Sequence, residues 1–131
     1  MDTFTEAYIE CALWASGTYI DCHGKACDDD GEEAEYFNFD DMDADLTEEA
    51  LATMGADCRD FQAANAADLE EYCQHRSVAH AGHDFWLTRN GHGAGFWDRG
   101  LGDLGERLTV ASKPYGSCDL YLGDDGKIYL A

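Results

Sequence analysis

Side chains capable of chemistry gather between residues 83 and 98 of this sequence, in the stretch HDFWLTRNGHGAGFWD. The stretch contains His83, Asp84, Arg89, His92 and Asp98. Imidazole and carboxylate groups can act as general acids and bases, and a guanidinium group can hold a phosphate. A small enzyme, either metal-dependent or based on His and Asp, is therefore one interpretation of this stretch.

A β-hairpin that serves only packing is the other interpretation. Apolar runs at residues 85–87 and 94–97 flank the dipeptide Asn90-Gly91. Asn-Gly tolerates positive φ and is typical of tight hairpin turns. The pattern therefore predicts two antiparallel strands joined at this dipeptide.

On such a hairpin the chemically capable side chains would not form one site. Side chains alternate between the two faces of a strand, so His83 and Asp84 would point in opposite directions. Arg89 would pair with Asp98 across the strands, and His92 would lie in the turn. We favour this interpretation and predict neither catalytic residues nor a cofactor.

Cysteine and histidine residues offer a weaker possibility, a zinc site. The sequence has no second closely spaced pair of cysteines to complete such a site, and no glycine-rich phosphate-binding motif. We therefore predict reduced thiols and no bound metal. The residues that would otherwise supply zinc ligands are Cys22, His23, Cys27, Cys73, His75, His80 and His83.

Carboxylates dominate the composition, since 28 Asp and Glu oppose 8 Lys and Arg for a net charge of −20. Residues 1–73 contain 21 acidic and two basic residues, whereas residues 74–131 contain seven acidic and six basic ones. Adaptation to high salt, the alternative without mimicry, would spread acids over the whole surface. Concentrated charge instead suggests a partner of opposite sign. Direct binding of nucleic acid is disfavoured, because phosphate contacts require a basic surface.

The carboxylates of the acidic half are the predicted partner-binding residues. Many of them lie between residues 27 and 49, a stretch without any Lys or Arg. The full predicted set is Asp2, Glu6, Glu10, Asp28, Asp29, Asp30, Glu32, Glu33, Glu35, Asp40, Asp41, Asp43, Asp45, Glu48, Glu49, Asp57 and Asp60.

Helices are expected to position many of these carboxylates. Residues 3–16 have apolar side chains at helical spacing, while Asp2, Glu6 and Glu10 recur every fourth position. Thr47 is a typical N-cap residue, and an apolar seam continues from it to about residue 76, with a break expected at the sequence NAAD. Between these helices we expect a loop and an acidic segment held to the domain by its aromatic residues, Tyr36, Phe37 and Phe39.

The C-terminal half is predicted to contain a second hairpin and one helix. Residues 120–122 and 128–130 flank an Asp-Asp-Gly turn, and residues 101–111 have leucines at helical spacing. The predicted fold class is α+β, with N-terminal helices packed on a small C-terminal antiparallel sheet of two hairpins and an intervening helix. A single domain, 1–131, would comprise an acidic helical half, 1–76, and a near-neutral hairpin half, 77–131.

The N-terminal sequence MDTFTEAYIECALWASG predicts a cytoplasmic protein. It has no basic segment ahead of an apolar one, and Glu6 and Glu10 interrupt its apolar positions. No run reaches the roughly 18 apolar residues of a membrane span, so no membrane partner is expected. The oligomeric state does not follow from the sequence.

Two segments, AGHDFWLTRNGHGAGFWDRGLG and YGSCDLYLGDDGKIY, carry a family resemblance. They resemble a family of small acidic proteins encoded by tailed bacteriophages and prophages, most strongly over residues 82–129. The resemblance implies a phage protein made in the cytoplasm of an infected bacterium, and it assigns no catalytic residue. Small, very acidic phage proteins often resemble DNA mimics that block restriction, CRISPR or other host nucleic-acid machinery.

Folded carboxylates can imitate a phosphate backbone because their spacing is comparable. Side chains four residues apart on a helix lie about 5–6 Å apart. Phosphates along one DNA strand repeat at about twice the 3.4 Å axial rise. The sequence therefore predicts an anti-CRISPR or anti-restriction inhibitor that occupies the cationic surface of a basic nucleic-acid-binding protein or complex of the bacterial host.

Overall fold

The computed structural model describes residues 1–27 and 34–131 of the chain. Within these ranges no helix is long and apolar enough to cross a bilayer. Three short 3₁₀ turns lie at Phe39–Asp41, Phe96–Asp98 and Lys113–Tyr115. The helices and strands are α1 Thr3–Ala15, β1 Gly17–Ile20, β2 Ala26–Cys27, β3 Glu35–Asn38, α2 Glu48–Ala64, α3 Ala66–Tyr72, α4 Val78–Arg89, α5 Asp103–Ser112, β4 Leu120–Leu122 and β5 Ile128–Leu130.

Helix α1 begins where its sequence supplies a cap. The Asp2 carboxylate accepts a hydrogen bond from the Thr5 backbone N–H at 2.8 Å, which satisfies one of the free amides of the first turn. Phe4, Tyr8 and Cys11 recur at helical spacing and are buried, so this face of α1 packs into the core. The helix predicted over residues 3–16 is confirmed.

The predicted long helix and its break are also confirmed, as α2 and α3. The Thr47 hydroxyl accepts from the Ala50 N–H at 3.1 Å and caps α2. Asn65 separates the two helices, with its side-chain amide donating to the Phe61 carbonyl at 2.9 Å. This local bond competes with continuation of the helix, which explains a break at NAAD.

The predicted first hairpin is wrong, because residues 78–89 form helix α4. Ser77 caps α4 in a capping box with His80, and side chains at positions 81, 85 and 89 are buried at a spacing of four. The Asn90-Gly91 dipeptide ends the helix, with Gly91 at a φ of 67°. Asn-Gly suits a helix C-terminus for the same reason that it suits a hairpin, since both need positive φ.

Two small antiparallel sheets replace the predicted four-stranded sheet. The C-terminal hairpin of β4 and β5 is confirmed, with Tyr121 opposite Tyr129. The other sheet has the order β2-β1-β3 and lies within residues 17–38, where we expected no strands. The predicted helix between residues 101 and 111 is confirmed as α5. The α+β class is therefore correct, although the helices pack mainly on each other.

A stack of aromatic rings forms the centre of the core. The rings of Phe61 and Phe85 lie 4.1 Å apart between centroids and nearly parallel. Phe4, Phe96 and Tyr8 surround them, and all five side chains are buried. These rings join α1, α2 and α4 to the 3₁₀ turn at residues 96–98, and so fix the surfaces that face outward.

Gly82 marks the closest approach of α4 to α1. A Cβ atom at this position would overlap the carbonyl oxygen of Phe4. Because backbone atoms cannot move aside cheaply, we predict that Gly82→Ala lowers the free energy of unfolding by about 1–3 kcal/mol. Urea denaturation measures this, with Gly93→Ala as the control, since a Cβ at Gly93 would meet nothing within 4 Å. Equal stability losses would show that α1 and α4 can separate without cost.

Candidate functional site

Most of the predicted partner-binding carboxylates lie at the surface. The members that the structure exposes, called the acidic set below, are Asp2, Glu6, Glu10, Glu35, Asp40, Asp41, Asp43, Asp45, Glu48, Glu49 and Asp60. Asp28, Asp29, Asp30, Glu32 and Glu33 lie outside the described residues.

Asp57 is a correction to the predicted set. Its carboxylate is 2.8 Å from the Arg89 guanidinium, and its side chain is only 29% exposed. The pair neutralises both charges within the fold, so Asp57 is not a free anion for a partner. Arg89 was predicted to pair with Asp98, and that pairing is wrong because the two residues do not lie on facing strands.

The acidic segment at residues 40–45 is fixed at both ends. On one side Phe39 is buried, and its N–H donates to the Ser16 carbonyl at 2.9 Å. On the other side the Ile128 N–H donates to the Asp45 carbonyl at 2.8 Å, and Leu46 forms a bridge with the same strand. The carboxylates between these anchors therefore project from an ordered backbone.

Of the three aromatic residues expected to hold this segment, Phe39 does so and the other two do not. Tyr36 is 51% and Phe37 36% exposed, and Tyr36 packs edge-on against Tyr19 within its sheet. Phe39 is therefore unavailable to a partner, whereas Tyr36 and Phe37 remain accessible beside Glu35.

The few cations of the chain do not neutralise the acidic set. Every ion pair in residues 1–27 and 34–131 uses Arg89, Arg99 or Arg107. Their partners are Asp57, Asp84, Asp68 and Glu71, none of which belongs to the acidic set. The arginines thus stabilise the fold, and in residues 1–27 and 34–131 the acidic set forms no ion pair.

The predicted His/Asp/Arg cluster is divided among different places. His83 and Asp84 line a cavity of about 680 Å³ beside α1. Arg89 is buried at the other end of α4, while His92 and Asp98 are exposed in the segment that follows. The enzyme interpretation therefore loses three of the five residues on which it was based.

A buried network forms the inner wall of this cavity. The Asp84 carboxylate accepts from the Tyr72 hydroxyl at 2.6 Å and from Arg99 Nη2 at 2.7 Å and Nε at 3.1 Å. Arg76 Nε in turn donates to the Tyr72 oxygen at 3.1 Å. Both Asp84 oxygens accept hydrogen bonds, so this carboxylate orients Arg99 directly and Arg76 through the Tyr72 hydroxyl, and it is not positioned as a general base.

The remaining titratable groups of the cavity suit binding more than catalysis. Burial raises the pKa of the Cys11 thiol to about 12, which keeps it protonated and a poor nucleophile near neutral pH. Burial also lowers the pKa of His83, and the carboxylate of Glu10 opposes that shift. In the described parts of the chain no three His, Cys, Asp or Glu side chains are grouped to hold a metal ion, so the zinc alternatives gain no support.

Arg76, Arg99, Tyr72 and Trp14 are cavity or network residues that sequence reasoning missed. Tyr72 and Arg76 are four apart, which places them on one side of a helical turn, and this spacing was the one available signal. Nothing local in the sequence connects them to Asp84 or Arg99.

Asp84 should be the most sensitive carboxylate of the chain. Removing one partner of a buried ion pair costs about 3–5 kcal/mol, because the other charge stays buried. We predict a loss of this size in the free energy of unfolding for Asp84→Ala, measured by urea denaturation. Asp119→Ala removes the same charge from an exposed side chain and should change stability by less than about 0.5 kcal/mol. Similar losses in both variants would contradict the role of the network.

His83 gives the protein a specific pH response. Its folded pKa lies below the ordinary value of 6.5, so the unfolded chain binds a proton more readily as the pH falls through that value. The His83 contribution therefore favours folding less at pH 5.5 than at pH 7.5. We predict that the free energy of unfolding of His83→Gln, minus that of wild type, is larger at pH 5.5 than at pH 7.5. Taking the difference between the two proteins removes the contribution of the other titrating groups. His92→Gln is the control because His92 is exposed, and an identical change in both variants would contradict the prediction.

Comparison with known proteins adds no identification. No protein-family model, no curated protein and no solved structure matches the chain. The resemblance to a phage family therefore stays a prediction, and function has to be argued from the surface and the cavity.

Proposed function

We propose that this chain is a phage-encoded inhibitor of a bacterial defence system, anti-CRISPR or anti-restriction, that acts as a nucleic-acid mimic. Its partner would be a basic nucleic-acid-binding protein or complex in the host bacterial cytoplasm. The observation that carries the proposal is the acidic set, which projects from ordered elements and forms no ion pair among the described residues.

The spacing of these charges favours a collective field. Asp41, Asp43 and Asp45 follow one another at intervals of two residues, which is at most about 7 Å along an extended chain. The screening length at physiological salt is about 8 Å, so neighbouring carboxylates act together on an approaching cation. Such a field raises the association rate with a basic surface and weakens as salt increases.

Exposed aromatic rings beside the acids offer the specificity that charge alone lacks. Trp14 is 62% exposed on the same helix as Glu10, and Tyr36 follows Glu35 on β3. Tyr and Trp are enriched at protein interfaces, where they contribute contact area at low entropic cost. This arrangement suits a protein partner with a basic, partly apolar surface.

The distribution of charge also weighs against salt adaptation. An adapted surface needs acids everywhere, yet residues 74–131 are nearly neutral, with seven acidic and six basic residues. An enzyme remains the alternative of a different class, and stoichiometry separates it from an inhibitor. Occlusion of a binding site is complete near one inhibitor per site, whereas an enzyme acts in far smaller amounts.

The decisive experiment uses charge-matched variants. Asp40, Asp41, Asp43 and Asp45 are changed together to Asn, and the tagged protein is compared with wild type in capture from nuclease-treated bacterial lysate. We predict at least about tenfold weaker binding of the captured nucleic-acid-binding complex, because the steering charges are lost. Titration of the isolated complex, with DNA or RNA as competitor, measures affinity and stoichiometry.

The control removes four charges from the other half of the chain. Asp98, Glu106, Asp119 and Asp124 are all exposed and are changed together to Asn or Gln. Under the proposal this control binds nearly as wild type does. Equal weakening in both variants would point to net charge alone, and normal binding by the first variant would disprove the mimic.

A further inference from the structure

The cavity beside α1 has a size and form that the proposed mimicry does not require. It measures about 680 Å³ and lies between α1, α4 and the segment that follows β3. Cavities that hold small molecules span about 300–1,000 Å³ and combine apolar walls with a few convergent polar groups. This cavity has both kinds of lining.

Two arginines, Arg76 and Arg99, line the cavity, and its buried carboxylate, Asp84, is bonded to Arg99. Arg99 pairs directly with the buried Asp84 carboxylate, whereas Arg76 donates to the Tyr72 hydroxyl, which itself donates to Asp84, so Arg76 makes no ion pair within the described residues. The Arg76 Nη1 and Nη2 atoms and the Arg99 Nη1 atom make no hydrogen bond with any described residue. Three guanidinium nitrogens, two of Arg76 and one of Arg99, are therefore available on residues that line the cavity, in a protein whose net charge is −20.

A planar guanidinium group can donate two parallel hydrogen bonds to a carboxylate or phosphate, so arginine recognises these oxyanions better than other side chains do. Arg76 is held by Tyr72 and Arg99 by Asp84, so both are oriented before any ligand arrives. Pre-orientation reduces the entropy lost on binding. The inner wall is therefore suited to a single oxyanion.

The remaining lining is apolar on one side and acidic at the opening. Leu13, Phe39, Met42 and Leu87 provide the apolar side, and Trp14 lies 62% exposed beside them. A flat ring can pack against such a wall. Glu10 and Asp40 are exposed where the cavity meets solvent, so they would accept hydrogen bonds from the outer end of a ligand.

We propose that this cavity is a binding site for a small molecule with three features. These are one carboxylate or phosphate group, a flat apolar ring and a hydrogen-bond-donating nitrogen at the far end. The oxyanion binds Arg76 and Arg99, the ring packs on the apolar wall, and the nitrogen donates to Glu10 or Asp40. The site does not depend on the mimic proposal, since it uses the inner arginines rather than the acidic set as a whole.

Two matched pairs of probes, all with a flat ring and an N–H donor, test the requirement for the oxyanion. Adenosine 5′-monophosphate is compared with adenosine, and tryptophan with tryptamine, so that each pair differs in the oxyanion. Calorimetry measures affinity, and NMR follows the indole N–H signals of the three tryptophans. We expect the oxyanion member of at least one pair to bind about tenfold or more tightly than its partner, because hydrogen bonds to charged groups are the stronger ones. The Trp14 signal should shift, while that of Trp97, which does not line the cavity, should not.

Variants locate the binding within the cavity. Arg76→Gln should weaken binding of the oxyanion probe about tenfold or more, and Arg59→Gln should leave it unchanged. Arg59 is the matched control because it is exposed on α2 and does not line the cavity. Ala44→Phe, which adds a large side chain to the cavity lining without a change of charge, should also weaken binding.

Three outcomes would overturn the proposal. No probe binds at millimolar concentration; in both pairs the member without the oxyanion binds as tightly as the member that has it; or Arg59→Gln weakens binding as much as Arg76→Gln does. Thermal unfolding of each variant confirms that it is folded before its affinity is compared. The acidic-set variant described above carries Asp40→Asn at the cavity opening, so the probes are tested in chains that retain Asp40, and the outcome then does not depend on the mimic proposal.

Discussion

The buried guanidinium of Arg89 is the interaction that joins the separate parts of this fold. It donates to the Tyr8 hydroxyl at 3.0 Å, to Asp57 at 2.8 Å and to the backbone carbonyls of Gly116 and Tyr115 at 2.9 and 2.8 Å. The rings of Phe85 and Tyr115 lie 5.7 and 5.8 Å from its central carbon. Taking such a cation out of water costs several kcal/mol, and this set of partners offsets the cost. One side chain of α4 thereby ties α1, α2 and the chain before β4 together.

The small number of basic residues affects both the interior of the fold and its surface. A chain with 8 basic residues uses Arg89, Arg99 and Arg107 to hold its helices. The acids that pair with them are drawn mostly from outside the predicted partner-binding set. Repulsion among the exposed carboxylates destabilises the folded state. The ion pairs of the arginines and the aromatic core must offset this repulsion. Because cations are few and three arginines pair with Asp57, Asp84, Asp68 and Glu71, the acidic set of the described residues is left without ion pairs.

The sequence alone predicted the structure correctly where a short motif is compatible with one local structure. The Thr47 cap, the break at Asn65 and the C-terminal turn before Ile128 were of this kind. Asn90-Gly91 is compatible with either a hairpin turn or a helix C-terminus. The aromatic run before it favoured a strand, whereas the Ser77 cap and the burial of positions 81, 85 and 89 show a helix. Non-local contacts gave no signal. The pairing of β1 with β3, and of Arg89 with Asp57, joins residues far apart in the chain, and a single sequence does not record which distant partners meet.

Glu10 and Asp40 belong both to the acidic set and to the opening of the cavity. Added salt therefore has opposite effects on binding at the acidic surface and on entry of an anion into the cavity. Under the proposed function the field of the acidic surface attracts a basic protein, and added salt screens that attraction. A small oxyanion must instead pass the same carboxylates before it reaches Arg76 and Arg99, so screening lowers its barrier to entry. Bound at the inner wall, it lies beside a buried pair that salt screens only weakly. The arrangement therefore separates a charge-driven surface, which depends on ionic strength, from an interior site in which fixed hydrogen-bond geometry determines what binds.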